Sequence, residues 1–348
     1  MYKLNFEGKH YEMGQKLGDF FLEHKTQFPI KLNKFQTEHG KESIKFLNKY
    51  FPEAIEEIKG ITDKINYDFE LFASWMMCMG CCLITRENHN VEVRGCTAFS
   101  FIHNNEIFYG RNNDLPSYLK NVSKSICYQP KNKNKFIINT SSFVNGEEGL
   151  NEYGLVSAMT FVVPKLDEIK PGFNSLFLVR YILENCKTVK EGINVLQKLP
   201  IASSCNILLT DKTGEMIVVE CNPFEINLRY PEKNESGNNF IVTVNHFTSK
   251  KMQKHDRSKQ NVYSSKPRYE TAYNALKKPG NKNPLIYTQE ILSGKYGFIC
   301  QYKKIKFETI WSSVFDISKN KIFLAEGNPQ NTKFIEDDRL NENIKNGT

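Results

Sequence analysis

The chain has 348 residues, is 40% hydrophobic, and carries 47 Lys and Arg against 39 Asp and Glu for a formal net charge of +8. That apolar content supports a real core in one large domain or two ordinary ones, and it excludes disorder as the main state. The densest basic run, Lys131 to Lys135, alternates Lys with Asn and holds no stacking aromatics, so the charge reads as solvated surface and no nucleic-acid partner is expected.

In chain order, the opening Met1-Tyr-Lys-Leu-Asn-Phe-Glu-Gly8 lacks the apolar run of a leader, and no later segment approaches the roughly 18 apolar residues of a membrane span. A cytoplasmic protein with no membrane partner is the expectation. Residues 1–95 read as helical: Tyr11, Leu17, Phe20 and Phe21 recur at helical spacing, and further helices are predicted over Ser43 to Lys59 and Phe69 to Ile84. After Arg94-Gly95 short strands take over. They are predicted at Thr97 to Ile102, Glu106 to Arg111, Lys135 to Asn139, Leu155 to Val163, Asn206 to Thr210, Glu215 to Cys221, Phe240 to Val244, Thr309 to Ile317 and Lys321 to Ala325. Helices interrupt them at Asn174 to Glu184, Thr188 to Gln197, Pro267 to Leu276 and Thr288 to Leu292.

Short polar turns such as His103 to Asn105 and Ser318 to Asn320 join most consecutive strands, which only antiparallel pairing permits. Strands such as Ile207-Leu208-Leu209 are apolar on both faces, so both sides of each sheet are covered. The predicted class is α+β, with two packed antiparallel sheets flanked by helix layers.

The segment from Arg94 to Asp114 carries the chemistry. If Asn104-Asn105 is the two-residue turn of a hairpin, cross-strand partners have numbers summing to 209. Cys96 then faces Asn113, with Arg111 and Asp114 one or two positions away, and facing Cβ atoms lie about 5 Å apart. A guanidinium beside a thiol favours the thiolate. Gly95 lets the preceding peptide take conformations closed to other residues, as a strained bond awaiting thiol attack requires. Were the Gly95–Cys96 bond cut, Cys96 would gain an α-amine of pKa about 7.7, near the value wanted of a general base. The hairpin alone also fits a cysteine merely buried in a strand.

Six short motifs now stand in order: Gly95-Cys-Thr, Gly110-Arg-Asn-Asn-Asp114, Leu150-Asn-Glu-Tyr-Gly-Leu155, Cys205-Asn206, Val244-Asn-His246 and Thr309-Ile-Trp-Ser-Ser-Val. With Phe6-Glu-Gly-Lys-His-Tyr-Glu-Met-Gly-Gln-Lys-Leu-Gly18, they resemble the isopenicillin N acyltransferase family and, more distantly, the choloylglycine hydrolases and penicillin V acylases. The resemblance implies an αββα N-terminal-nucleophile (Ntn) hydrolase fold. It implies autocleavage into residues 1–95 and 96–348, two chains that stay associated, and transfer of an acyl group from an amide or thioester to an amine or water. By the same resemblance Cys96 is nucleophile and base, Asp114 holds the new α-amine, and Arg111 supports the thiolate. Asn245 donates to the oxyanion beside the backbone N–H of Thr160 or its neighbour, and Arg268 stands for a late arginine of the bile-salt hydrolases.

Other readings remain beside these. Cys78 and Cys81 have Cys-x-x-Cys spacing with Cys82 next to them, but no second Cys or His pair stands nearby in sequence, so core packing is expected and no metal. His246 is read as a substrate contact, with a Cys96/His246 thiol hydrolase as an alternative and a non-catalytic binding protein as another. No cofactor is expected, since thiol, α-amine and oxyanion donors supply the chemistry. A homo-oligomer is left open.

Overall fold

The computed structural model describes residues 1–83, 95–142, 145–257, 264–302 and 307–342. Arg94 and the predicted helix end at Ile84 lie outside the described residues. The chain opens on a strand, β1 (Tyr2–Gly8), followed by α1 (His10–Glu23), α2 (Lys34–Tyr50), α3 (Pro52–Ile65) and α4 (Phe69–Cys78). β1 corrects the reading of residues 1–95 as wholly helical: Lys3 and Asn5 are exposed while Leu4 and Phe6 turn inward, a period of two. α2 and α3 replace the single helix read over Ser43 to Lys59. Pro52 has no N–H and steers its predecessor away from helix, and Phe51 takes φ −144°, ψ 61°. α4 ends at Cys78 because Met79 is extended and Gly80 has φ +61°.

The remaining strands are β2 (Gly95–His103), β3 (Glu106–Pro116), β4 (Lys124–Pro130), β5 (Phe136–Thr140), β6 (Glu148–Asn151), β7 (Val156–Phe161), β8 (Cys205–Thr210), β9 (Met216–Cys221), β10 (Ile226–Arg229), β11 (Glu232–Lys233), β12 (Asn239–Thr243), β13 (Phe307–Asp316), β14 (Lys321–Ala325) and β15 (Ile335–Asp337). The later helices are α5 (Ser175–Asn185), α6 (Val189–Lys198), α7 (Ser265–Lys277) and α8 (Pro284–Leu292). Asn174, Thr188 and Asn283 cap α5, α6 and α8 with side-chain oxygens that accept first-turn N–H groups.

Two sheets result, one of eight strands in the order β1-β4-β5-β6-β7-β8-β9-β10 and one of seven in the order β11-β12-β2-β3-β13-β14-β15. One pair departs from the antiparallel expectation: β1 runs parallel to β4, from Tyr2↔Lys124 to Gly8↔Pro130. α1 to α4 and the β2–β3 hairpin of the other sheet lie between them in sequence, giving the long crossover that a parallel pair requires.

Ala98 and Tyr109 of the seven-stranded sheet pack against Ala158, Leu208 and Val218 of the eight-stranded sheet, forming the core between them. A second core lies between α1 to α6 and the outer face of the eight-stranded sheet, and a third between α7, α8 and the outer face of the other. This is the α-β-β-α layering. Among the described residues no helix is long and apolar enough to cross a membrane.

Candidate active site

The β2–β3 hairpin has the predicted register, with Cys96↔Asn113 and His103↔Glu106, and Asn104 and Asn105 take φ +52° and +63° in the turn. Strand alternation then sorts the site onto two faces. Ala98 on β2 and Tyr109 on β3 point between the sheets, so Cys96, Arg111 and Asn113 share that inner face. Gly95, Thr97 and Asp114 lie on the outer face, toward α7.

On the inner face, Arg111 Nη2 donates to Cys96 Sγ at 3.0 Å and to Asn113 Oδ1 at 3.1 Å, and Sγ itself lies 3.5 Å from Asn113 Oδ1. Arg111 Nη1 donates to the carbonyl of Met159 at 2.6 Å, and the guanidinium stands 5.6 Å from the Trp311 ring centre. Asn113 Nδ2 and Trp311 Nε1 both donate to Ser141 Oγ, which fixes the amide so that its oxygen faces the sulfur. Burial pushes the Cys96 thiol up; Arg111 and Arg268 draw it down without reversing the shift, and Asp114 adds to it. The guanidinium contact expected from sequence is therefore present, but burial outweighs it.

On the outer face, Asp114 accepts from Thr309 Oγ1 at 2.6 Å and from the Tyr302 hydroxyl at 2.7 Å, and Arg268 Nη1 stands 3.9 Å away. Burial pushes its carboxyl up, against the pull of Arg268 and the two hydroxyls. A Cβ at Gly95 would sit 3.0 Å from the Asp114 Cβ and 3.1 Å from Oδ2, so glycine serves the close approach of backbone to carboxylate.

β12 pairs with β2 through Thr243↔Ala98, which delivers Asn245 to Cys96. Asn245 Oδ1 accepts from the Cys96 main-chain N at 2.7 Å and from Arg268 Nη2 at 2.7 Å, while Nδ2 donates to the carbonyl of Phe161 at 2.9 Å. Two donors on one atom identify it as the oxygen, and the nitrogen keeps a second N–H. Arg268 Nη1 also donates to the Cys96 carbonyl at 2.5 Å and to Thr97 Oγ1 at 2.9 Å, tying α7 to the start of β2.

Thr160 Oγ1 donates to the Val244 carbonyl at 2.6 Å, bracing the stretch that carries Asn245. His246 is not joined to Cys96 by any hydrogen bond among the described residues; its Nδ1 contacts Ser265 Oγ at 2.8 Å, and burial lowers its pKa. Ser265 Oγ also accepts from the main-chain N of Asn245.

Sequence reasoning gave no role to Thr309, Tyr302, Ser141, Trp311 or Ser265. Thr309 and Trp311 sit in the last of the quoted motifs, and their pairing with Asp114 and Asn113 across β3–β13 is the signal that an alternation argument could have followed. All nine cysteines are buried and free. Cys78, Cys81 and Cys82 pack in a small apolar cluster, as expected, and α2 brings a single histidine, His39, to them from about 40 residues earlier in the chain.

Cys96 thus follows a glycine at the head of a strand, within an α-β-β-α sandwich. The chain belongs to the acyl-coenzyme A:6-aminopenicillanic acid acyl-transferase family, whose sequence pattern matches residues 102–331, well over half of its length. Among solved structures it is similar to penicillin V acylase from Agrobacterium tumefaciens, at 20% identity and TM-score 0.45, covering 66% of this chain and 83% of that one. It is also similar to two variants of conjugated bile acid hydrolase from Clostridium perfringens, each at 15% identity and TM-score 0.49, covering 71% of this chain and 94% or 93% of the other. No curated protein sequence matches.

Proposed function

We propose that the protein is a self-processing cysteine Ntn-hydrolase that acts on small linear amides or thioesters, as an acyltransferase or an amidohydrolase. The observation that carries this is the double grip on one residue: Cys96 Sγ is held by Arg111 while its main-chain nitrogen is held by Asn245. Both ends of the future nucleophile and base are thus positioned before any cut.

In processing, Sγ attacks the Gly95 carbonyl carbon, the C–N bond breaks, and the thiol proton goes to the departing nitrogen. Water then hydrolyses the resulting thioester, leaving a Gly95 carboxylate and a free Cys96 with thiol and α-amine. In turnover the α-amine takes the thiol proton, Sγ attacks the substrate acyl carbon, and the proton passes to the leaving amine or thiol. An amine or water then takes the acyl group from sulfur.

Asp114 and Arg268 flank the α-amine from the outer face, and Arg111 supports the thiolate from the inner one. The spare N–H of Asn245 serves the oxyanion together with a backbone N–H of β7, from Thr160 or its neighbour. The carbonyls of Met159 and Phe161 both accept from site residues, and strand alternation aims the Phe161 N–H the same way, which favours the neighbour. No cofactor enters. The chain 1–95 would stay bound through β1, paired with β4 over its full length.

The Cys96/His246 alternative finds less support, because the imidazole contacts Ser265 rather than the sulfur. The test is intact mass spectrometry under denaturing conditions. Two masses, residues 1–95 and 96–348, are expected; a single intact chain that nonetheless turns over substrate would replace this reading with an unprocessed thiol enzyme.

Gly95→Ala supplies a second check. Its methyl would crowd the Asp114 carboxylate, so uncut chain should accumulate while the protein stays folded, seen as a slowed conversion by mass. Processing at the wild-type rate would show that the close approach at Gly95 does not matter.

A further inference from the structure

The turn after α4 and the facing side of α2 assemble a donor set that the acyl-transfer site does not use. Cys81 Sγ lies 3.7 Å from His39 Nε2, and the metal-ligating atoms of His39, Cys81 and Cys82 all lie within 4.8 Å of one another. Cys78, one helical turn before Cys82 and in the same apolar cluster, donates its thiol to the Gln36 carbonyl at 3.3 Å. All four residues are buried.

The backbone turns tightly at the end of α4. The carbonyl of Cys78 accepts the N–H groups of Cys81, Cys82 and Leu83 at 3.1, 3.0 and 3.2 Å. Gly80, at φ +61°, lets the Cys-Met-Gly-Cys turn close so tightly. Gln36 braces it by donating from Nε2 to the Cys82 carbonyl at 2.9 Å.

We propose that His39, Cys81 and Cys82, with Cys78 as the fourth ligand, form a structural site for a soft divalent cation, zinc first. With Zn–S about 2.3 Å and Zn–N about 2.0–2.1 Å, neighbouring donors on a tetrahedral ion stand roughly 3.5–3.8 Å apart. The Cys81–His39 separation already has that length, Cys82 completes a group whose ligand atoms lie within 4.8 Å of one another, and Cys78 would join by turning its thiol from the Gln36 carbonyl. The polar partners the imidazole Nε2 has instead are weak, a hydroxyl of Ser43 at 3.4 Å and the Cys81 thiol. Ile169, Ala202 and Leu166 surround the sulfurs and exclude water, as suits a closed structural site.

Burial pushes the Cys81 thiol up, and the neighbouring Cys78 thiol, with burial behind it, pushes up that of Cys82, so binding a cation as thiolates would release their protons to solvent. The ion would clamp α2 to the end of α4, the last described element before Gly95 and Cys96. Catalysis at Cys96 would not touch it.

The test uses full-length protein grown with zinc, purified without a metal-binding tag, and assayed by elemental analysis. One zinc per chain is expected in wild type and in Cys96→Ala, with at least a tenfold loss in Cys81→Ser and His39→Ala. Should those variants fail to fold, the wild-type chain loaded with cobalt(II) decides alone. Intense visible absorption with thiolate-to-cobalt charge transfer supports the tetrahedral site. The proposal is overturned by wild type that carries no zinc and whose melting temperature added zinc leaves unchanged, by a weak octahedral cobalt spectrum, or by loss of zinc in Cys96→Ala.

Discussion

Cys96→Ala is expected to remain one chain and to have no acyl-transfer activity, whereas Cys96→Ser should be cut slowly between Gly95 and Cys96. The alanine removes the sulfur but leaves the hairpin, whose register rests on the Asn104-Asn105 turn and nine cross-strand pairs. Arg111 keeps its bonds to Met159 and Asn113, so its charge does not lose every partner. A folded, uncut chain is therefore the expected product, read by intact mass and by a cooperative melting transition close to that of wild type. Serine can perform the same acyl shift through oxygen, but its hydroxyl is a far weaker nucleophile at neutral pH, so the ester should form more slowly than the thioester. A Cys96→Ala sample still split between residues 95 and 96 would remove autocatalysis and assign the cut to another protease.

How much of this site could be read from sequence depends on the distance over which the relevant contacts act. The grouping of Cys96 with Arg111, Asn113 and Asp114 is local: an Asn-Asn turn fixes the partner sum, and alternation does the rest. The split of those residues between two faces follows from the same arithmetic, with Ala98 and Tyr109 marking the inner side. Asn245 and Arg268 came only from family resemblance. What brings them to Cys96 is the pairing of β12 with β2 and the packing of α7, neither of which leaves a mark in the local sequence.

The elements missed have the same cause. β1 finds its partner β4 more than a hundred residues away, and its few apolar positions were absorbed into the helical texture that follows. β4 and β6 bury polar residues, Lys124 and Ser125 in one and Glu148 and Asn151 in the other, so apolar patterning does not mark them even though short turns join them to β5 and β7. His39 lies on α2 and Cys81 in the turn after α4, with α3 and α4 between them, so spacing rules that look for a second pair nearby in sequence pass over them. Conversely, the pull of Arg111 on the Cys96 thiol has the expected direction, and the net upward shift comes from burial, which is a property of the whole fold. The guanidinium beside Cys96 was legible; the depth at which both are buried was not.

Asn245 is the residue that separates the proposed mechanism from a generic thiol enzyme, and removing its donor should cost about 10² to 10³ in turnover, roughly 3 to 4 kcal/mol. Asn245→Ala alone would not isolate that term, because Oδ1 also accepts from the Cys96 nitrogen and from Arg268. Asn245→Asp keeps an oxygen for both of those donors and replaces the amide N–H groups with a second acceptor facing the Phe161 carbonyl. Both variants should fold and keep alkylation of Cys96 by iodoacetamide, and both should lose turnover to this extent when rates are expressed per processed chain by mass. His246→Ala should lose less than about tenfold, since its imidazole reaches Ser265 and not the sulfur. The comparison works in either direction. A near-wild-type Asn245→Asp beside an inactive His246→Ala would transfer the base to histidine, and the α-amine of Cys96 would lose its part in the reaction.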